Sequence, residues 1–394
     1  SSFYSEMTSC KKLPKEICKT KKECKYAQGE KRAFCRTAKN KTRKRKVSSV
    51  SPRINNIAND IGINSSDFTH DPCKLLTKLS DHLNGNVYKY KHLSTVKKEE
   101  FEDIIPSIRK QKDNKIILSG KVLILKEQIG SGSYGVIYKA SYDGKDIIVK
   151  QPKTAIHDFI IETLIQNDLF CTFRGKFGNG ARIPKIEFIA KYSSNGMNKF
   201  ILGMEPLDMD GFAFAKNFKK NDLKLIDMME QVSKFTLQLQ NERKFMHKDL
   251  HLGNIMCKKN GNGYRWFIID FGMSSFMNGK RMFHSIKHFP YPNSHVFNPS
   301  HDMRMLITSM HSQIDMLSYF GMIIDRYLVH LDYVKKKSGK PLFHSAYYKV
   351  VNKVDNVCNP DNVINLFFHA KSSLNIGNKT EFLSIVLPSL IPLQ

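Results

Sequence analysis

The sequence lacks any long hydrophobic segment. No run of about 18 apolar residues occurs, which is the length that a membrane-spanning helix requires. The first residues, SSFYSEMTSCKKLPKE, contain no apolar core of the kind found in a secretory signal peptide. We therefore expect a soluble intracellular protein with no membrane span. Because 41% of its residues are hydrophobic, the chain still has enough apolar material to form a packed core.

Acidic residues are scarce. The chain has 63 Lys and Arg against 36 Asp and Glu, and its formal net charge is +27. The excess is uneven, because residues 1–50 hold sixteen Lys and Arg but four Glu. The densest run, KNKTRKRK at 39–46, suits an anionic partner, either a nucleic acid or an acidic protein, and also a nuclear address. A solvated tail without a partner is the alternative, since no aromatic residues interleave with the charges.

The cysteines lack the paired C-x2-C spacing of common zinc sites. Four of the eight cysteines fall in the basic segment, at Cys10, Cys18, Cys24 and Cys35. Three alternatives stay open for these four: a zinc site, a disulfide-stapled module if the protein is stored in an oxidising particle, or free cytosolic thiols.

Changes in composition divide the chain into four parts. Residues 1–50 form the basic, cysteine-containing extension, and residues 51–120 combine a Ser/Pro/Asn-rich linker with a segment that we expect to be helical. Residues 121–206 carry strand-like runs such as KVLILKEQIG, GVIYKASY and KDIIVK. Residues 207–394 carry helical patterns such as DLKLIDMMEQVSKFTLQLQNE. The sequence therefore predicts an α+β fold with a small β-rich lobe and a larger helical lobe.

A glycine-rich segment, GSGSYGV at 130–136, connects the first two predicted strands. Gly130, Gly132 and Gly135 have no Cβ, so the backbone there can approach triphosphate oxygens and donate N–H groups to them. Dinucleotide-binding folds use the same spacing, but they place a helix after the loop, whereas VIYKASY is typical of a strand. The segment favours a phosphate-covering loop, and a plain hairpin turn is the alternative.

A lysine and a glutamate follow this loop at suggestive positions. Lys150 ends the third predicted strand, twenty positions after Gly130. Glu162 lies on the next predicted segment, a helix whose apolar residues recur at three-and-four spacing, at Ile156, Phe159, Ile160 and Leu164. We expect Glu162 to form an ion pair with Lys150, although Asp158 and Asp168 are also near in sequence.

The strongest signal is HKDLHLGN at 247–254, followed by IIDFG at 268–272. Asp249 can accept or orient the proton of a substrate hydroxyl, and Asn254, five positions later, can reach a metal ion. Asp270 follows an apolar strand and can bridge a metal ion to phosphates. The 21 positions between the two aspartates are enough for a hairpin that returns the chain to the same cleft.

These motifs resemble those of the protein-kinase superfamily over residues 121–330. The resemblance implies a bilobal kinase fold that binds ATP and Mg²⁺ or Mn²⁺ between its lobes. It implies Asp249 as the catalytic base, Asn254 and Asp270 as metal ligands, and a structural role for His247. It also implies a set of ATP-binding residues: Gly130, Gly132, Gly135, Val136, Lys150 with its partner Glu162, and Glu205 and Leu207 in the segment MEPL, whose backbone would bind adenine.

Three departures from the family pattern bear on the acceptor and, at Ile148, on the shape of the adenine pocket. His251 stands where Ser/Thr kinases usually carry a Lys, and DLHLGN is similar to haspin-like, choline and aminoglycoside kinases. Ile148 replaces the small residue usually found two positions before the lysine. No Ala-Pro-Glu follows Asp270, although Asp302 is a candidate for the helix Asp that braces the catalytic loop.

Three hypotheses about function follow. The leading one is a Ser/Thr protein kinase that transfers the γ-phosphoryl group of ATP to protein substrates. The second is a small-molecule kinase of the choline or aminoglycoside type, favoured by His251. The third is a catalytically silent basic scaffold or nucleic-acid-binding protein, against which the intact Lys150, Asp249, Asn254 and Asp270 argue.

The Lys- and Asn-rich composition, the basic extension and the divergent motifs together resemble Ser/Thr kinases of large cytoplasmic DNA viruses of the giant-virus type. That resemblance implies a place in the host cytoplasm, packaging in the virion, and virion core proteins as substrates.

Overall fold

The chain divides into two compact units, Ser1–Val50 and Ser51–Gln394. The computed structural model describes residues 24–28, 33–37, 62–63, 108–109, 115–118, 121–131, 135–153, 156–176, 182–194, 197–278, 281–284, 297–310, 313–330, 357–386 and 388. In the first unit, strands β1 (Cys24–Gln28) and β2 (Ala33–Thr37) pair as an antiparallel hairpin. Cys24 and Cys35 lie on opposite strands of this hairpin, and Cys10 and Cys18 fall outside the described residues.

The second unit begins with strand pairs that lead into an antiparallel sheet. Strands β3 (Gly62–Ile63) and β4 (Ile108–Arg109) pair with each other. Six further strands form one sheet in the order β5-β6-β7-β8-β10-β9. These are β5 (Lys115–Leu118), β6 (Lys121–Ser131), β7 (Gly135–Tyr142), β8 (Lys145–Pro152), β9 (Ile186–Ser194) and β10 (Met197–Met204).

The turn between β7 and β8 fixes the register of these two strands. Asp143 and Gly144 form this turn, with φ values of 54° and 77°. Two successive positive φ values are typical of a type I′ hairpin turn, whose twist matches that of the flanking strands. One face of the sheet buries apolar residues from five strands, namely Leu123, Tyr138, Ala140, Val149, Phe188 and Ile201.

Helix α1 (Ile156–Phe173) connects β8 to β9 and is buried on most of its surface. Besides apolar residues such as Ile161 and Leu169, it buries the polar side chains of Thr163 and Gln166. Thr163 donates to the Phe159 carbonyl at 2.8 Å, which satisfies its hydroxyl within the helix. The helix is therefore more enclosed than the one-sided apolar pattern predicted.

The remaining elements form a mainly helical lobe. The longest helix has a defined start and end: Asn221 caps α3 by accepting from the Lys224 N–H at 3.1 Å, and Lys244 ends it in the left-handed region with φ 45°. The elements are β11 (Met209–Asp210), α2 (Gly211–Asn217), α3 (Asp222–Arg243), β12 (Ile255–Asn260), β13 (Gly263–Ile268), β14 (Ser275–Asn278), β15 (Arg281–His284), α4 (His301–Met310), α5 (Tyr319–His330), α6 (Pro360–Ser372) and α7 (Lys379–Val386).

Helix α3 lies at the centre of the core of this lobe. Its residues Leu225, Met229 and Val232 are buried in a cluster that also includes residues of α1, α4, α5 and α6. Phe214 of α2 packs edge-on against Trp266 of β13, with ring centroids 4.7 Å apart. The core therefore holds the β12–β13 hairpin against the helices. This hairpin connects the motif HKDLHLGN at 247–254 to the motif IIDFG at 268–272.

The α+β, kinase-like fold predicted from the sequence is confirmed, with a small β-rich lobe followed by a helical lobe. Within the segment predicted to be a linker and helices, the described residues are strands instead, and β5 extends the sheet to residues before 121. Its sequence, KIIL, is a short branched apolar run, and pairing with β6 overrides any helical tendency. Among the described helices, none is both long and apolar enough to cross a bilayer.

Gly321 provides a test of packing in the helical lobe. A Cβ at this position would lie 2.0 Å from the backbone carbonyl oxygen of Asp315. We expect Gly321→Ala to lower the free energy of unfolding by about 1–3 kcal/mol, because backbone atoms must move to relieve the overlap. Chemical denaturation measures this effect.

Gly377→Ala is the matched control, since a Cβ there would meet nothing within 4 Å. Equal stabilities for the two variants would contradict the close packing at Gly321.

Candidate active site

Lys150 and Glu162 form the ion pair that the sequence predicted. Lys150 lies on β8 and Glu162 on α1, and the Lys150 Nζ lies 2.8 Å from the Glu162 Oε1. Burial alone would lower the pKa of Lys150, but the Glu162 carboxylate outweighs burial and the pKa is raised. Lys150 therefore stays charged in a half-enclosed position, where a cation can hold phosphate oxygens.

The glycine-rich segment lies where β6 turns into β7. Gly130 pairs with Ile137, and Val136 is buried on the face of the sheet. At Gly135, a Cβ would lie 2.8 Å from the Gln151 carbonyl oxygen, so the close pairing of β7 and β8 requires glycine. Gly132 falls outside the described residues.

The segment MEPL at 204–207 connects the two lobes. Glu205 uses its N–H to donate to the Lys185 carbonyl at 3.0 Å, and its carboxylate accepts from the Lys185 N–H at 2.8 Å. Its carboxylate also lies 3.5 Å from the Lys258 Nζ. Within the described residues, the N–H and carbonyl of Leu207 make no hydrogen bond. The Glu205 side chain thus contacts residues on both sides of the connection.

Asp249 and Asn254 are joined directly. The Asn254 Nδ2 donates to the Asp249 carbonyl at 2.8 Å and to the Asp249 Oδ2 at 3.2 Å. Asn254 is 6% exposed, whereas the Asp249 side chain is 35% exposed. The amide therefore fixes the carboxylate orientation while Asp249 still faces solvent.

Asp302 braces the chain just before Asp249. Its Oδ2 accepts from the His247 N–H at 2.8 Å and its Oδ1 from the Lys248 N–H at 2.9 Å. Lys248 has a φ of 65°, which is unfavourable for a residue with a side chain. The fully buried carboxylate of Asp302 compensates this conformation with two hydrogen bonds. The bracing role predicted for Asp302 is confirmed in geometry.

His247 links the two motifs. Its Nε2 lies 2.8 Å from the Ile269 carbonyl, and its Nδ1 accepts from the Asp249 N–H at 3.3 Å. These two partners assign the proton to Nε2. Because Ile269 directly precedes Asp270, the histidine ring sets the spacing between the two acidic residues.

Asp270 is turned toward the cleft while the next side chain points inward. Its φ is 62°, and Phe271 is fully buried, with its ring centroid 5.6 Å from that of His247. The Asp270 carboxylate is near enough to act electrostatically on Lys150 and Asp249. The structure therefore brings together five of the predicted residues, from both lobes: Lys150, Glu162, Asp249, Asn254 and Asp270.

The environment of Asp249 changes its acidity. Burial is the largest effect and raises the pKa of Asp249 to about 6, with Asp270 adding to the rise and His247 and Asn254 opposing it. A carboxylate with this pKa is ionised near neutral pH and is still a better proton acceptor than an ordinary aspartate.

His251 is held beside Asp249 in a defined tautomer. Its Nδ1 accepts from the Gly253 N–H at 2.9 Å, so Nε2 carries the proton and lies 3.7 Å from the Asp249 Oδ2. Burial lowers the pKa of His251. The exposed ring of Phe212 lies beside it, with centroids 6.1 Å apart. Phe212 was missed by sequence reasoning, because only packing of α2 places it here.

Asn254 and Asp270 fit a hard cation such as Mg²⁺. Both nitrogen-bound hydrogens of the Asn254 amide face Asp249, which leaves its oxygen for another ligand. The described residues contain no group of three or more His, Cys, Asp or Glu side chains placed to hold a metal. Mg²⁺ in nucleotide sites commonly uses one or two carboxylates together with phosphate oxygens, so this donor set suits it.

Comparisons with known proteins agree on a kinase-like domain. Residues 182–289, which contain Asp249, Asn254 and Asp270, match the family model described as ABC1 atypical kinase-like domain. A probable serine/threonine-protein kinase of Dictyostelium discoideum is 29% identical over 170 residues. That match covers 40% of this chain and 30% of the relative, so the chain spans under a third of the relative's length.

Among solved structures, the crystal structure of the BubR1 kinase domain is similar, with a TM-score of 0.43 and 14% identity. The match covers 82% of this chain and 100% of that one. The family match over residues 182–289 and the arrangement of Lys150, Asp249 and Asn254 are both consistent with a kinase-like domain.

Asp302→Asn tests the brace. An amide can accept only one of the two N–H groups and turns its own N–H₂ toward the other. We therefore expect unfolding free energy to fall by about 1–3 kcal/mol, together with a loss of phosphotransfer, as measured by denaturation and by label transfer from ATP.

The pH dependence of stability gives a second readout. The pKa of Asp302 is lowered: burial raises it, but the His301 and His247 contacts outweigh burial. Its stabilisation is present above the unfolded-state pKa and is lost as pH falls through the folded-state pKa, so wild type and variant should converge in acid. Asp325 is exposed, so Asp325→Asn is the control. An equal fall in the free energy of unfolding and in phosphotransfer in this control would contradict the bracing role of Asp302.

Proposed function

We propose that this chain is a Ser/Thr protein kinase, which transfers the γ-phosphoryl group of ATP to a protein hydroxyl. The observation that carries the proposal is the meeting of Lys150 with Glu162 on one side of the cleft and Asp249, Asn254 and Asp270 on the other. These groups are the ones that phosphoryl transfer requires for positioning and charge stabilisation.

The roles follow from the geometry. ATP would lie between the lobes, with its adenine against the backbone at Glu205 and Leu207 and its phosphates under the loop that includes Gly130, Gly132 and Gly135. Val136 would cover the adenine from the sheet. Lys150, fixed by Glu162, would hold phosphate oxygens, because its charge is maintained by the ion pair.

Asp249 would receive the acceptor proton. As the hydroxyl oxygen bonds to the γ-phosphorus, its proton passes to the Asp249 carboxylate, and the bond between the γ-phosphorus and the bridging oxygen breaks to release ADP. Asn254 and Asp270 would hold Mg²⁺ or Mn²⁺, which supplies charge neutralisation on the phosphates when bound. Asn254 also keeps the Asp249 carboxylate aimed into the cleft.

Two observations bear on the acceptor. A relative described as a probable serine/threonine-protein kinase and the glycine-rich loop support a protein hydroxyl. The small-molecule alternative is favoured by His251, a neutral imidazole with its Nε2–H toward Asp249 in place of a lysine. A silent scaffold is the least favoured alternative, because each of the polar groups needed for transfer is present and oriented.

Other expectations stay predictions. An anionic partner for the basic extension, a place in the host cytoplasm or virion, and virion core proteins as substrates all rest on the sequence alone.

Asp249→Asn tests the proposed function. We expect label transfer from ATP to Ser or Thr residues to fall by about 10²-fold or more, because the amide cannot accept the proton, while nucleotide binding is retained. Phosphoamino-acid analysis of labelled protein substrates and of the chain itself measures the transfer, and Asp325→Asn serves as the control. Label found solely on a small molecule would favour the second hypothesis, and no label despite ATP binding would favour the scaffold.

The raised pKa of Asp249 predicts the pH profile. The active carboxylate is lost as pH falls through about 6, so kcat/KM should decline about tenfold for each further pH unit in acid. Rates at saturating acceptor and at limiting acceptor across this range provide the measurement. A profile that stays flat down to an ordinary aspartate pKa would contradict the role of Asp249 as the base.

A further inference from the structure

A cavity lies between the two lobes, beside the segment that connects them. Its volume is about 510 Å³, and residues of both lobes line it together with Glu205 and Pro206 of the connecting segment. None of the residues proposed to hold phosphates or metal contributes to its wall. This volume falls within the range of about 300–1,000 Å³ that is typical of ligand pockets.

The wall of the cavity carries more positive than negative charge. Five cationic residues line it, against three carboxylates. The carboxylates already have cationic partners: Asp146 pairs with Lys126 at 2.6 Å, Glu187 with Lys185 at 2.9 Å and Glu205 with Lys258 at 3.5 Å.

Two of the lining lysines remain available. Lys145 and Lys259 are exposed, and no carboxylate in the described part of the chain pairs with either ammonium group. Lys145 lies at the start of β8 in the upper lobe, and Lys259 lies in β12 in the lower lobe. They therefore offer two cationic contacts, one on each side of the cavity.

Arg265 adds a third cation over an apolar surface. Its guanidinium lies 5.5 Å from the ring centroid of Phe267, which also lines the cavity. Arg182 lies nearby: burial lowers its pKa first, and the like charge of Arg265 lowers it further. An anion near Arg265 would relieve this repulsion. Phe170 and Pro206 extend the apolar surface.

We propose that this cavity is a docking site for an acidic peptide segment of a partner protein that carries a bulky apolar side chain. The lysines on either side and Arg265 would bind carboxylates, and the apolar side chain would rest against Phe170 and Phe267. A peptide fits better than a nucleic acid, because Lys145, Lys259 and Arg265 stand at separate points of the wall, and a peptide can space its carboxylates to match them whereas the phosphates of a nucleic acid have a fixed repeat.

The proposal does not depend on the proposed function, because Glu205, through its backbone, is the one lining residue that the proposed ATP site also uses. The full chain is mixed with a fluorescein-labelled short peptide of Glu and Asp around a Leu-Phe pair, and binding is followed by fluorescence anisotropy. We expect the double variant Lys145→Glu with Lys259→Glu to weaken binding about tenfold or more, because both contacts become repulsive.

Matched controls separate docking from general attraction to a basic protein. Lys219→Glu with Lys220→Glu changes the net charge equally at exposed positions that do not line the cavity, and this variant should bind within about twofold of wild type. A peptide with Gln in place of its acidic residues should not bind. Asp249→Asn should bind as wild type does, so loss of catalysis and loss of docking can be told apart.

Three outcomes would overturn the proposal. In the first, Lys145→Glu with Lys259→Glu binds the acidic peptide as wild type does. In the second, the cavity variant and the Lys219→Glu with Lys220→Glu control weaken peptide binding equally, which would assign the attraction to overall charge. A third outcome is that the peptide fails to bind but a short single-stranded oligonucleotide binds. If Lys145→Glu with Lys259→Glu abolished that binding and Lys219→Glu with Lys220→Glu did not, the cavity would be a nucleic-acid site.

Discussion

One buried carboxylate determines how the chain enters the candidate active site. Asp302 accepts two successive backbone N–H groups, from His247 and Lys248, and so holds Lys248 at a positive φ. The same constraint orients the His247 ring, which reaches the carbonyl just before Asp270. Both acidic residues of the cleft are therefore positioned from one point, and the exposed functional groups depend on a residue with no exposed surface.

Much of this site follows from local sequence patterns. Glycines that alternate between two strand-like runs predict a phosphate-covering loop. The catalytic and metal-binding groups are predicted by the order of Lys150, Asp249, Asn254 and Asp270. Both predictions are possible because each motif is short and its geometry is set by neighbours in the chain. The pairing of Lys150 with Glu162 was also predictable, since a strand and the following helix bring residues twelve apart together. The two-lobed fold follows from the change in periodicity near the middle of the chain.

Other features depend on contacts between distant segments and left no local signal. Phe212 comes to lie beside His251 because α2 packs against the catalytic loop, and Phe212 itself matches no motif. The strand β5 lies in a segment expected to be helical, and only its pairing with β6 decides its form. The charged residues that line the cavity beside Glu205 and Pro206 come from several elements, so no single stretch of the sequence predicts the cavity.

The connection between the lobes has a mechanical consequence. Glu205 is bound to the upper lobe through two hydrogen bonds with Lys185. Asp208 is bound to the lower lobe, because its N–H donates to the Cys257 carbonyl at 2.8 Å and its carboxylate accepts from the Lys259 N–H at 2.6 Å. Pro206 and Leu207 lie between these two anchors, and the ring of Pro206 removes one of their backbone torsions. The Glu205 carboxylate also reaches the lower lobe, 3.5 Å from the Lys258 Nζ. The link between the lobes is therefore a short segment with few free backbone torsions, and this limits how far one lobe can rotate against the other.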